Sequence, residues 1–167
     1  MRQMTLTRRA TLALPMLAVA APSMAQAPAG RALLEVSGRV TAQGAAARFD
    51  LERLDALPQA GFTTRTPWLD GVRRFTGVPG TALLEAVGAS GREVVATALN
   101  EYRVTIPIED FRSTGLILAT RLDGEPIPVR QKGPLWVIYP FDAEARLRNE
   151  VFYTRSIWQL RRLEFRD

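Results

Sequence analysis

Hydrophobic and polar positions alternate in short runs over most of the chain, and helical spacing holds for a few brief stretches. Residues 32–36 read as a strand and Ser37-Gly38 as a turn or bulge. Arg39-Val40-Thr41 then continues to a hairpin tip at Gln43-Gly44, with 47–51 returning. Asp50 stands where a helix cap belongs, ahead of Leu51, Leu54 and Leu57 at helical spacing, and Pro58 stops that helix. Residues 61–66 form a threonine-rich strand, 67–71 a turn or loop, and 72–77 a second loop or short strand. Pro79-Gly80-Thr81 opens a helix over 82–87 that Gly88 ends. Residues 93–99 and 102–106 pair as a hairpin around Asn100-Glu101, and 108–111 make one helical turn. An apolar strand over 115–122 runs into the tight-turn dipeptide Asp123-Gly124, and Pro126 and Pro128 mark an edge or irregular segment. Residues 135–139 are a buried strand, followed by a loop through Pro140 and a charged stretch to Glu150. An alternating strand over 156–165 closes the chain. The pattern predicts one α+β domain over 32–167, mostly β with a few short helices and no internal repeat.

The N-terminus follows another pattern. Arg2, Arg8 and Arg9 precede an apolar run over 10–21, broken only by Thr11 and Pro15, and Ser23 and Ala25 are small residues at a cleavage spacing. This is the three-part layout of a secretory signal over 1–25, too short to span a bilayer, with a flexible leader over 26–31. Thr7-Arg8-Arg9-Ala10-Thr11-Leu12 also approximates a twin-arginine signal, so the Sec and twin-arginine routes both stand. The mature protein is expected in the periplasm, and no later run is long enough to cross a membrane.

Charge and composition narrow the chemistry. The formal net charge of +5 falls to +2 once a signal carrying three arginines and no acid is removed. Nucleic-acid binding calls for a concentrated basic stripe, and none is present. The chain has no histidine and no cysteine. It therefore lacks a Ser-His-Asp triad, an imidazole base, a thiol nucleophile, and every His or Cys metal ligand. Carboxylate pairs occur at Asp50 and Glu52, Glu109 and Asp110, and Asp142 and Glu144, and each reads as a solvated cap, turn or loop. No phosphate-binding glycine loop or calcium-loop pattern is present.

Two stretches depart from ordinary packing patterns. Phe62-Thr63-Thr64-Arg65-Thr66-Pro67-Trp68 combines hydroxyls, a guanidinium and an indole where a strand breaks into a turn. Either Trp68 pins the loop onto the core, or Thr64, Arg65, Thr66 and Trp68 hold a flat polar heterocycle by stacking and edge hydrogen bonds. In Lys132-Gly133-Pro134-Leu135-Trp136-Val137-Ile138-Tyr139-Pro140, strand period puts Trp136 and Tyr139 on opposite faces, so at most one shares a pocket. Lys132 and Tyr139 are candidates there, as are Asn100 and Tyr102 flanking the hairpin turn. Trp158 alternates against Ile157, so one of the two faces outward or into a cleft.

These stretches, with Phe75-Thr76-Gly77-Val78-Pro79, Leu83-Leu84-Glu85-Ala86-Val87-Gly88-Ala89, Ala98-Leu99-Asn100-Glu101-Tyr102, Leu118-Ala119 and Asp123-Gly124 in this order, resemble the oxidoreductase molybdopterin-binding domain. The resemblance implies the sulfite-oxidase-type fold in a small exported form. In catalytic members it places a molybdenum-ligating cysteine after the strand equivalent to 62–66, where this chain has threonine or arginine. The resemblance thus carries over the fold and a pterin pocket but not the metal ligand, and no metal is expected. The sequence is similar to exported, cysteine-less pterin-binding sensory proteins that act on membrane-bound cyclic-di-GMP enzymes. Three readings follow. The first is a non-catalytic pterin-binding module that reports to a membrane signalling partner, a cyclic-di-GMP enzyme or a sensor kinase. The second is a molybdopterin oxidoreductase that uses a non-cysteine ligand or relies on a partner subunit, and the third a structural or assembly partner whose pocket is filled by side chains.

Overall fold

The computed structural model describes residues 30–42 and 47–167. The export signal, residues 26–29 of the leader and the Gln43-Gly44 hairpin tip lie outside the described residues.

Among the described residues, ten strands make two sheets, accompanied by four short α-helices. In the first, the order is β2 (Arg48–Phe49), β1 (Leu34–Gly38), β10 (Leu160–Arg166), β5 (Glu93–Ala98), β6 (Arg103–Pro107). β1 and β10 pair in parallel, so the two ends of the domain close on each other, and the other pairs are antiparallel. In the second sheet, β3 (Ala60–Thr66) pairs with β4 (Leu69–Pro79), and β4 with β7 (Ile117–Leu122). The other edge of β7 carries β8 (Glu125–Pro126) and β9 (Trp136–Ile138).

The helices are α1 (Leu51–Asp55), α2 (Gly80–Val87), α3 (Ile108–Ser113) and α4 (Glu150–Arg155). One core draws on both sheets and on the buried faces of α2 (Leu83, Leu84, Val87) and α3 (Ile108, Phe111). Asp50 caps α1 by accepting from the Arg53 N–H at 2.9 Å, and it also accepts from the Gly30 N–H at 3.0 Å. Those two backbone donors hold its carboxyl below the ordinary carboxylate range. Asp50 is buried rather than solvated, because the segment before β1 packs across it.

Three predicted boundaries differ from the structure. Residues 67–71 are not one loop: Pro67-Trp68 is a two-residue hairpin turn, and β4 runs eleven residues from Leu69. Its first half carries no apolar alternation because the β3–β4 hairpin runs out of the core there, leaving Asp70, Gly71, Val72 and Arg74 exposed. Gly71, at φ +72, takes up the register shift between Arg65 and Thr66 opposite it, a bulge that favours glycine. Gly77 serves the opposite purpose: a Cβ there would lie 2.0 Å from the Leu118 carbonyl oxygen, so only glycine lets β4 approach β7 so closely. The stretch before Glu150 and the strand at 156–165 also divide differently. α4 lies between them, and β10 begins only at Leu160 after the Trp136–Trp158 bridge.

Candidate functional site

Four separate segments converge on a cavity of about 400 Å³. Trp68 comes from the β3–β4 turn, Asn100 and Tyr102 from the β5–β6 turn, Glu150 and Tyr153 from α4, and Trp158 from the bridge segment before β10. Each arrives by a local device. Asn100 accepts the Tyr102 N–H at 3.1 Å through its side-chain oxygen, while Glu101 between them sits at φ +64, closing a tight turn. Asn149 caps α4 by accepting from the Val151 N–H at 2.9 Å, and this starts the helix at Glu150.

Aromatic rings make the wall. Trp68 packs on Trp136, Trp158, Tyr153 and Phe141 with centroids 5.6, 5.7, 6.0 and 6.3 Å away. Trp136 lies wholly inside and donates its indole N–H to the Ser156 carbonyl at 3.1 Å, which fixes the segment carrying Trp158. The Lys132 Nζ stands 3.8 Å over the Trp158 ring, a cation–π contact, and burial lowers its pKa. Glu150 is exposed at the cavity and forms no ion pair among the described residues.

A second cavity, of about 300 Å³, shares Tyr153 with the first and is otherwise lined by Arg65, Thr66, Pro67, Phe141, Asp142 and Arg148. Its floor is stitched to β3. The Asp142 carboxylate accepts the Arg65 N–H at 2.9 Å, and its own N–H donates to the Thr64 hydroxyl at 3.0 Å. That hydroxyl in turn donates to the Arg65 carbonyl at 3.2 Å.

A largely buried polar seam joins Asp110, Tyr139 and Arg155. The Tyr139 hydroxyl donates to Asp110 Oδ2 at 2.8 Å, and Arg155 Nη1 donates to the same oxygen at 3.0 Å. This ties the end of α4 to α3 and to the residue after β9. Burial, and then the Asp110 carboxylate, push the Tyr139 phenol far above its ordinary pKa, so it stays a neutral donor.

The family model for the oxidoreductase molybdopterin binding domain matches residues 31–146. The chain belongs to this family. Among solved structures, the sulfane dehydrogenase SoxCD from Paracoccus pantotrophus superposes with a TM-score of 0.62 at 21% identity. The alignment spans 80% of this chain but 38% of that one, so the likeness shows the shared sulfite-oxidase-type fold. No curated protein sequence matches the chain.

The family's name implies a molybdopterin, and its two parts fare differently here. The pterin is a flat ring with donors and acceptors on its edge, and the Trp68 cavity offers ring faces, the Asn100 amide and the Glu150 carboxylate. The metal half meets no thiolate or imidazole donor. The chain has no cysteine or histidine, and β3 ends in a threonine, whose hydroxyl is a far weaker ligand than a thiolate. The residues present fit a pterin and do not fit a thiolate-bound metal.

The eight predicted pterin residues do not come together at one place. Trp68, Asn100 and Tyr102 come together at the first cavity, and Arg65 and Thr66 at the second. Thr64 is fully buried and lines neither; its hydroxyl positions the Asp142 loop. Lys132 also lines neither, because it is stacked on Trp158. Tyr139 is a correction: it is fully buried, with its hydroxyl committed to Asp110. Both faces of β9 are covered, so strand period did not separate a pocket face from a core face, and Trp136 is core as well. Asp110 is likewise buried in an ion pair rather than a solvated cap. Sequence reasoning missed Glu150 and Tyr153 because it read no helix at 150–155, and Arg148 because it read the stretch before Glu150 only as a charged loop. Asn149 ahead of Glu150 was the available cap signal.

Proposed function

We propose that this domain is a periplasmic pterin-binding module that holds its ligand without turning it over and signals occupancy to a membrane-bound partner. The observation that carries the reading is an aromatic-walled cavity with an unpaired carboxylate at its edge, in a chain that lacks any thiol or imidazole. A volume of about 400 Å³ lies within the range of small-molecule sites. A pterin ring stacked on the indole and phenol faces leaves its amino edge free, and Glu150 is the acceptor placed to receive that edge's donors. Asn100 supplies both a donor and an acceptor for the remaining edge.

The signalling half of the proposal draws on the surface beside the cavity. Leu99 and Tyr102 at the β5–β6 turn and Val151 on α4 are exposed apolar side chains next to lining residues, so a partner docked there would contact the ligand's own walls. The export half draws on the signal pattern at the N-terminus. The partner we propose is the periplasmic part of a membrane signalling protein, a cyclic-di-GMP enzyme or a sensor kinase.

The test is a titration of purified protein with a panel of oxidised and reduced pterins, followed by indole fluorescence. Saturable quenching by at least one pterin is expected, and Trp68→Ala should weaken its uptake at least about tenfold by calorimetry. Fluorescence unchanged across the panel would overturn the proposal.

A further inference from the structure

The readily oxidised side chains of this domain are gathered in one place. Cysteine is absent, and the four methionines are Met1, Met4, Met16 and Met24, so residues 25–167 contain no sulfur. Sulfur is the usual end point of side-chain oxidation, and without it indoles and phenols come next. The chain has three tryptophans and three tyrosines, and all six belong to the Trp68 cavity or to the rings connected with it. Trp68, Trp158, Tyr102 and Tyr153 line the cavity. Trp136 lies buried against Trp68, and Tyr139 lies buried against Phe141. The rings form a continuous path from the cavity to the Asp110 seam. Phe141 stands between Trp68 and Tyr139, with centroids 6.3 and 6.2 Å away. Tyr153 packs on both Trp68 and Phe141, at 6.0 and 5.1 Å. One phenyl ring thus separates an indole at the cavity wall from a phenol in the interior.

That phenol has a proton acceptor in place. Its hydroxyl donates to Asp110 Oδ2 at 2.8 Å, within reach for proton transfer, and Arg155 donates to the same oxygen at 3.0 Å and fixes the carboxylate there. Neither Tyr102 nor Tyr153 donates its hydroxyl to a carboxylate among the described residues. The difference matters because a phenol that loses an electron becomes a very strong acid, and a waiting base makes the electron easier to remove. We propose that these rings relay one-electron oxidation from the cavity wall to Tyr139. The oxidant is a radical or photo-excited aromatic ring at the cavity, and it takes one electron from Trp68. The indole radical cation then draws an electron from Tyr139 across Phe141, and the phenol's proton passes to Asp110. Atoms and charge balance: an indole radical cation, a phenol and a carboxylate become a neutral indole, a neutral phenoxyl radical and a carboxylic acid. An electron supplied from a one-electron donor reverses the step and returns the proton to Tyr139. The relay does not rest on the pterin reading, since any one-electron oxidant at the cavity starts it.

The test uses a ruthenium(III) polypyridyl complex, generated by a light flash beside the purified protein, as the oxidant. Transient absorption then follows the indolyl and phenoxyl radicals. In wild type the indolyl signal should decay as the phenoxyl signal rises. Tyr139→Phe removes the end point but keeps the ring, and its indolyl radical should outlive that of wild type at least about tenfold. Tyr102→Phe and Tyr153→Phe keep Tyr139 and should leave both phases within about twofold. In heavy water the wild-type phenoxyl rise should slow, because the proton moves with the electron. An indolyl lifetime unchanged by Tyr139→Phe overturns the relay, as does the absence of any phenoxyl signal in wild type. A phenoxyl signal kept in Tyr139→Phe but lost in Tyr102→Phe places the end point at the cavity mouth and also overturns it. A phenoxyl rise equally fast in heavy water removes Asp110 as the proton acceptor and defeats the proposal. No pterin enters these measurements, so failure of pterins to bind leaves the relay in place.

Discussion

The Tyr139 seam and the Trp68 cavity are built from similar parts, aromatic rings with a carboxylate and α4, yet their polar groups are treated in opposite ways. In the seam, one oxygen of the buried Asp110 receives both the Tyr139 hydroxyl and the guanidinium of the half-buried Arg155. In the cavity, the Glu150 carboxylate is exposed and unpaired among the described residues, and the rings leave room between them. Both places meet at α4, which begins at Glu150 and ends at Arg155. The seam satisfies its polar groups internally and holds the helix in place. The cavity leaves its one carboxylate, Glu150, without an ion-pair partner among the described residues.

The contrast breaks first at Asp110. Asp110→Ala strands the Tyr139 hydroxyl and the Arg155 charge, so urea unfolding should show a loss of about 3–5 kcal/mol. Ligand uptake should fall with it, since α4 loses its anchor. A loss below about 1 kcal/mol would show that the seam holds nothing.

Tyr139→Phe is milder and gives the seam a pH signature. The phenol's pKa is raised in the folded protein, so its contribution is complete below its ordinary value near 10 and is lost as pH rises beyond it. Wild type should therefore lose stability above about pH 10 more steeply than Tyr139→Phe, which at neutral pH should be weaker by about 1–2 kcal/mol. Parallel alkaline profiles for the two proteins would remove Tyr139 from the seam's electrostatics.

Glu150→Gln sharpens the other side. It has no hydrogen-bond or ion-pair partner among the described residues, so stability should change by less than about 0.5 kcal/mol, while the affinity for a pterin should drop about tenfold, or about 1.4 kcal/mol. A stability loss without an affinity loss would make Glu150 a structural residue and leave the cavity without its acceptor.

The sequence made much of this legible. The strand succession, the β5–β6 hairpin, the α2 helix with its Gly88 stop and the family itself were all readable from alternation, turn dipeptides and ordered motifs. Trp68, Asn100 and Tyr102 were picked for chemistry and lie at one cavity. The rest was hidden for physical reasons. α4 buries none of its residues fully, so it leaves no amphipathic stripe, and only the Asn149 cap marks it. Tyr139 read as a pocket residue because a tyrosine beside a proline at a strand end has the same local pattern whether its hydroxyl meets a ligand or Asp110. The partner that decides lies 29 residues earlier in the chain. Thr64 was chosen for its hydroxyl, which is used, but on the Asp142 loop.

The central claim is that the chain keeps the family's pterin chemistry and has given up its thiolate-bound metal. It is tested most directly by purifying the protein from its native source, then measuring released small molecules by mass spectrometry and molybdenum by elemental analysis on the same sample. The account predicts a pterin at about one per chain with molybdenum far below that ratio. Molybdenum at one per chain, bound with the pterin, would contradict it.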